Sequence, residues 1–143
     1  MLEKINFYSE NDFELGEPER YAKWLEKVIL SEDKKLEEIS YIFCDDEYLL
    51  NINQQYLDHD TYTDIITFDY CVGNILQGDI YISTERVQEN AESFNVNFDE
   101  ELRRVLAHGV LHLCGYKDKT DVEAETMRSK EEEKMKLFHV EQS

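Results

Sequence analysis

The sequence predicts an α+β fold, a single mixed sheet of about four strands packed with about five helices. Three observations predict it. Short runs rich in β-branched and aromatic residues alternate with longer segments whose apolar residues recur at helical spacing. Two of those longer segments open with a capping signature. Finally, no Pro/Gly/Ser-rich linker, low-complexity tract or repeat divides the 143 residues, so residues 1–143 are read as one domain.

"LEKINFYS" alternates apolar and polar residues and reads as a half-buried strand. "EPERYAKWLEKVIL" carries Pro18 where a first helical turn accepts it, with Tyr21, Trp24, Leu25 and Val28 on one face. "ISYIFCD" is a second strand. "DEYLLNINQQYL" places Leu49, Leu50, Ile52 and Tyr56 at roughly helical intervals. "TDIITFDY" is β-branched and aromatic and is expected to be a central strand. "GDIYIS" is a further strand, reached through the glycine-bearing "VGNILQG". A helix follows from Thr84. Asn97 with Glu100 caps the next, whose apolar face is Phe98, Leu102, Val105, Leu106, Val110 and Leu113. Thr120 with Glu123 opens a last, highly charged helix, where "KEEEKMK" is expected to form i,i+4 charge pairs.

Composition excludes several classes. No apolar run approaches the length of a membrane span, so no membrane partner is expected. "MLEKINFYSE" lacks the basic start and apolar middle of a signal peptide. Cys44, Cys71 and Cys114 form no CxxC pair and point to reduced thiols in a cytoplasmic protein. The net charge of -18 argues against unaided contact with nucleic acid, but contact depends on the local field.

The segment "HGVLHLCGYKD" carries the chemistry. His108 and His112 lie one helical turn apart and present two imidazoles to one point. Gly115 permits the left-handed turn that ends a helix, and the returning chain brings Asp118 to the same point. Two nitrogens and one oxygen make a three-ligand site with an open position, at the end of a late helix. That is how a catalytic zinc is held. One divalent ion is expected there, with zinc the first choice. The spacing follows the metzincin skeleton H-E-x-x-H-x-x-G-x-x-H. However, Gly109 stands in place of the glutamate base, and Asp118 in place of the third histidine. A zinc metallopeptidase-like hydrolase is therefore an alternative that lacks its base. A second alternative is a non-enzymatic binding protein whose metal only pins the helix end.

The same segment closely resembles the H-G-x-L-H-L-x-G-Y-D-H signature of the YbeY proteins, bacterial metal-dependent endoribonucleases of ribosome maturation and quality control. "YTDIITF" resembles the family's P-T-D-V-L-S-F strand, "QGDIYIS" its G-D-I-x-I-S strand, and "LLNINQQY" its L-N-x-x-Y. Met127 falls where the family has a methionine. The likeness runs from about Leu49 to Met135. It implies zinc-dependent cleavage of single-stranded RNA in ribosomal RNA maturation, including the small-subunit RNA's terminus. It places His108, His112 and Asp118 on the three metal-ligand positions. The implied partners are RNA and the ribosome, and the acidic surface adds basic ribosomal proteins.

The departures have consequences. The family usually has histidine at the position of Asp118 and aspartate at that of Lys117. An anionic third ligand makes the ion less electrophilic and its water less acidic. The family's arginine after the L-N-x-x-Y tyrosine is Leu57, which cannot contact phosphate. His59, Lys117 and Lys119 are the candidate substitutes by proximity. Arg103 and Arg104, one turn before His108, are further candidates for phosphate, and Asp64 and Asp79 for hydrogen bonds to the histidines. Cys114 reads as a small buried hydrophobe. No side chain is named as general base.

Overall fold

A computed structural model describes residues 4–57 and 63–140. Nine elements follow in order: β1 (Ile5–Ser9), α1 (Pro18–Ser31), β2 (Lys35–Cys44), α2 (Asp46–Leu57), β3 (Ile65–Asp69), β4 (Ile75–Ser83), α3 (Thr84–Phe94), α4 (Phe98–Leu113) and α5 (Asp121–Val140). The sheet order is β1-β2-β4-β3. β1 pairs parallel with β2 and β2 parallel with β4, while β3 runs antiparallel to β4. The α+β expectation holds, with five helices on one mixed four-stranded sheet.

One placement differs. β3, expected to be central, is an edge strand. Its β-branched content reflects a half-buried surface and not a position within the sheet, and only Ile66 of its five residues is fully buried. The central strands are β2 and β4. Both start earlier than their apolar runs suggest. Lys35–Glu38 pairs across a bulge, and Ile75 follows directly on a tight turn through Gly73, whose φ is +59°.

The two faces of the sheet are unlike. Ile39, Tyr41, Ile80 and Ile82 point to the face covered by α1, α3, α4 and α5, and form one core with Trp24, Val87, Leu106 and Phe138. The other face is covered by α2 alone, over a small cluster of Cys44, Leu49, Ile52 and Ile66. Two contacts seat α4 on its face. The buried Tyr41 hydroxyl donates to the Leu106 carbonyl at 2.8 Å. Gly109 lies against the sheet so closely that an added Cβ would stand 3.0 Å from Ile80 and 3.1 Å from Ile65.

α5 does more than form the expected i,i+4 charge pairs. Glu131 and Lys134 are buried, and Lys134 reaches Glu32 at the end of α1, at 2.7 Å. Lys130 reaches the same carboxylate at 3.3 Å. Its local pairs run from Lys130 and Lys134 to Glu133. The run "KEEEKMK" therefore docks the helix onto the body of the fold. Among the described residues, no helix is long and apolar enough to cross a membrane.

Candidate metal centre

α4 begins where Asn97 accepts the Glu100 backbone N–H at 2.8 Å, with Asp99, Glu100 and Glu101 in the positive first turn. Sixteen residues of helix carry the apolar face onto the sheet and leave His108 and His112 half-buried beside it, His108 meeting α5. Their rings stand edge to face, 4.5 Å between centroids.

The helix ends in a Schellman motif. The Tyr116 N–H donates to the Leu111 carbonyl and the Gly115 N–H to that of His112, both at 3.0 Å. Gly115 has φ +111°, which a side chain resists. The reversal brings Asp118 back over the helix end. Its Oδ2 lies 3.3 Å from His108 Nε2 and 3.6 Å from His112 Nε2. The three ligand atoms all fall within 4.8 Å of one another.

These distances fit a metal. For donors about 2.1 Å from a tetrahedral ion, two ligand atoms stand about 3.4 Å apart. The tautomers fit as well. His112 Nδ1 faces the Tyr116 carbonyl at 3.0 Å, an oxygen that can only accept, so Nδ1 carries the proton. His108 Nδ1 faces Glu131 Oε2 at 2.6 Å, and against a carboxylate it again donates. Both Nε2 lone pairs then aim at the carboxylate oxygen of Asp118. Three electron-rich atoms converging on one point are mutually repulsive until a cation sits among them. The residues present thus suit a divalent ion with one open position.

The electrostatics separate the two histidines. Burial pulls the His108 imidazole down, but the carboxylates of Glu131, Asp118 and Asp64 together push it above its ordinary value. His112 is held below its ordinary value by burial and by its neighbour His108. Burial pushes the Asp64 carboxyl up, against the pull of His108.

The other expected residues are distributed as follows. Lys117 and Lys119 flank Asp118 on the turn and are exposed. His59 lies outside the described residues, and so does the side chain of Leu57. Arg104 is engaged by Glu101 and Glu131, and the Arg103 guanidinium lies 4.9 Å over the Phe138 ring, so neither is placed for a phosphate. Asp64 accepts from Asn90 at 3.3 Å instead of from a histidine. Asp79 lies on the opposite face of the sheet. Cys114 packs against the core, and burial pushes its thiol up to about 12. Glu131, which orients His108, is the residue that sequence reasoning missed. Its distance from the motif and its place in an acidic run gave no sign of it.

Comparison with known proteins assigns the family. The family model described as Endoribonuclease YbeY matches residues 5–139. A Christiangramia forsetii protein named Endoribonuclease YbeY is 68% identical over 139 residues, covering 97% of each chain. The protein of that name from Flavobacterium johnsoniae is 62% identical, covering 96% of this chain and 99% of its own. That from Porphyromonas gingivalis is 47% identical, covering 96% and 91%. The solution structure of a Thermotoga maritima protein superposes with a TM-score of 0.68 at 28% identity, covering 94% of this chain and 88% of that one. With a family model spanning the fold and the histidine turn alike, the chain belongs to the YbeY family of endoribonucleases.

Proposed function

We propose that the chain is a zinc-dependent endoribonuclease of single-stranded RNA. It acts in the cytoplasm on ribosomal RNA, at the small-subunit RNA's terminus, and in ribosome quality control. The observation that carries the metal-dependent reading is the convergence of His108 Nε2, His112 Nε2 and Asp118 Oδ2 within 4.8 Å of one another. Those three residues would hold the ion, which when bound supplies a Lewis acid for a phosphoryl oxygen and a water acidified towards neutral pH.

The chain's own groups do the rest. Glu131 and the Tyr116 carbonyl keep the Nδ1 protons in place, so that both Nε2 atoms remain donors of electron pairs. Lys117 and Lys119, on the exposed turn, are the cations proposed to meet the phosphate, with His59 the third candidate. The net charge of -18 suits a basic protein surface on the ribosome as a second contact.

The peptidase reading is weaker on a structural ground. Gly109, which replaces the protease glutamate, faces Ile80 and Ile65 and not the ligand cluster. The test is to purify the protein, measure bound metal and assay single-stranded ribosomal RNA fragments beside unstructured peptide. One ion per chain and RNA cleavage, both lost in His112→Ala, is the expected result. RNA left intact by the metal-loaded protein contradicts the proposal and favours the non-enzymatic reading.

A further inference from the structure

The face of the sheet turned away from the metal cluster carries a concavity. It encloses about 510 Å³ between α2 and strands β3 and β4, a size that suits a small-molecule group. Strand alternation separates it from the metal site. Ile80 and Ile65 point to α4, whereas Phe68, Asp79 and Tyr81 point the other way.

Its walls are aromatic. Tyr48 and Tyr81 stand nearly parallel, 6.4 Å apart at 25°. Phe68 meets Tyr81 edge-on at 5.8 Å, and Tyr56 meets Phe68 likewise. Two stacking layers of about 3.5 Å need about 7 Å, so a flat ring enters between Tyr48 and Tyr81 with a small shift of Tyr48. Tyr48 is 38% exposed and stands on the helix, so it has room to move.

The polar groups are few and specific. Asn51 and Gln55 sit one turn apart on the α2 face that lines the space. At the base lies Asp79, half-buried and engaged by no hydrogen bond or ion pair of the described residues. Burial alone pushes its carboxyl up. An unpartnered carboxylate among rings seeks N–H donors in a flat ligand. Among the described residues no Lys or Arg lines the space.

We propose that this cavity is a nucleobase subsite for a guanine of the single-stranded RNA, stacked on Tyr48 and Tyr81 and read by Asp79. Guanine presents N1–H and the N2 amine side by side, a pair that matches both oxygens of one carboxylate. Uracil offers one N–H between two carbonyls, which the same carboxylate repels. Adenine and cytosine each set an acceptor beside their amine. The cavity and the metal cluster lie on opposite faces, with β3 as the sheet edge on that side. A single strand passes round such an edge, and a stiff duplex does not. The subsite deepens the RNA-cleavage proposal and rests on it for its biological meaning, but its binding is measurable by itself.

The experiment titrates guanosine, inosine and uridine into the isotope-labelled protein and follows backbone amide shifts. Guanosine is expected to shift residues around Tyr48, Asp79 and Tyr81, with inosine weaker and uridine at least roughly tenfold weaker. Asp79→Asn and Tyr48→Ala should each weaken guanosine roughly tenfold. His112→Ala, inactive on the metal reading, should still bind guanosine, which keeps a failure of catalysis separate from a failure of the subsite. No shifts up to the solubility limit, shifts equal for uridine, or guanosine binding unchanged in Asp79→Asn would each overturn the proposal.

Discussion

His108 and His112 are one turn apart on the same helix, yet they are held by different kinds of structure. His112 is fixed locally, since its Nδ1–H goes to Tyr116, in the turn that ends its own helix and leads to Asp118. His108 is fixed at long range, by Glu131 from α5, 23 residues on. The difference divides the site into a half built by chain-local geometry and a half built by packing. The first half depends on Gly115 and the second on how α5 docks. Even the local half is tied down from outside, because the Tyr116 hydroxyl donates to Glu32 at 2.6 Å.

Removing a proposed ligand outright has the largest effect. His112→Ala should lower RNA cleavage by about a thousandfold or more, measured with a single-stranded substrate at saturating metal. Next comes the seat shared by both histidines. Gly109→Glu would drive a carboxylate into Ile80 and Ile65, and chemical denaturation should show a loss of about 3 kcal/mol or more. It should also yield no peptidase activity. Gain of peptidase activity in that variant would show that position 109 faces the metal after all.

Glu32→Gln probes the external tie. Burial pushes the Glu32 carboxyl up, but hydrogen bonds from Lys134, Tyr116 and Lys130 outweigh it and hold the group below its ordinary value. A carboxyl depressed in the folded state stabilises the fold above its unfolded pKa. That contribution fades as pH falls through the depressed folded value. The variant should therefore lose about 2 kcal/mol at neutral pH, as buried Lys134 keeps Glu133 as its carboxylate partner, beside the Ser31 hydroxyl. The deficit should shrink in acid. A deficit unchanged by acid would contradict the ion-pair account.

The finest test sets one half against the other. Glu131→Gln should weaken metal binding about tenfold while leaving the turn intact. Gly115→Ala should cost about 1 kcal/mol of stability through strain at φ +111°, and weaken metal through Asp118 instead. The two losses should add in the double variant if the halves are independent. Strong non-additivity would show them to be a single unit.

How much of this was legible beforehand follows the same division. The order of all nine elements was readable, because caps and periodicity are local signals. So was the His108–His112–Asp118 cluster, since a helical turn and a glycine reversal are also local. Glu131 was not. Among adjacent glutamates and lysines, nothing in the pattern distinguishes the one that a neighbouring helix buries. Gly109 read only as a missing base, because close approach to Ile80 is a property of packing. β3 read as central because strand propensity reports a pleated, half-buried surface and is silent on neighbours.

The central claim is a single divalent ion ligated by two imidazoles and one carboxylate. X-ray absorption at the zinc edge of the purified, metal-loaded protein tests it most directly. The account predicts a shell of nitrogen and oxygen at about 2.0–2.2 Å, including two imidazoles, reduced by one imidazole in His112→Ala. A sulfur scatterer at about 2.3 Å, or a shell identical in the variant, would contradict it.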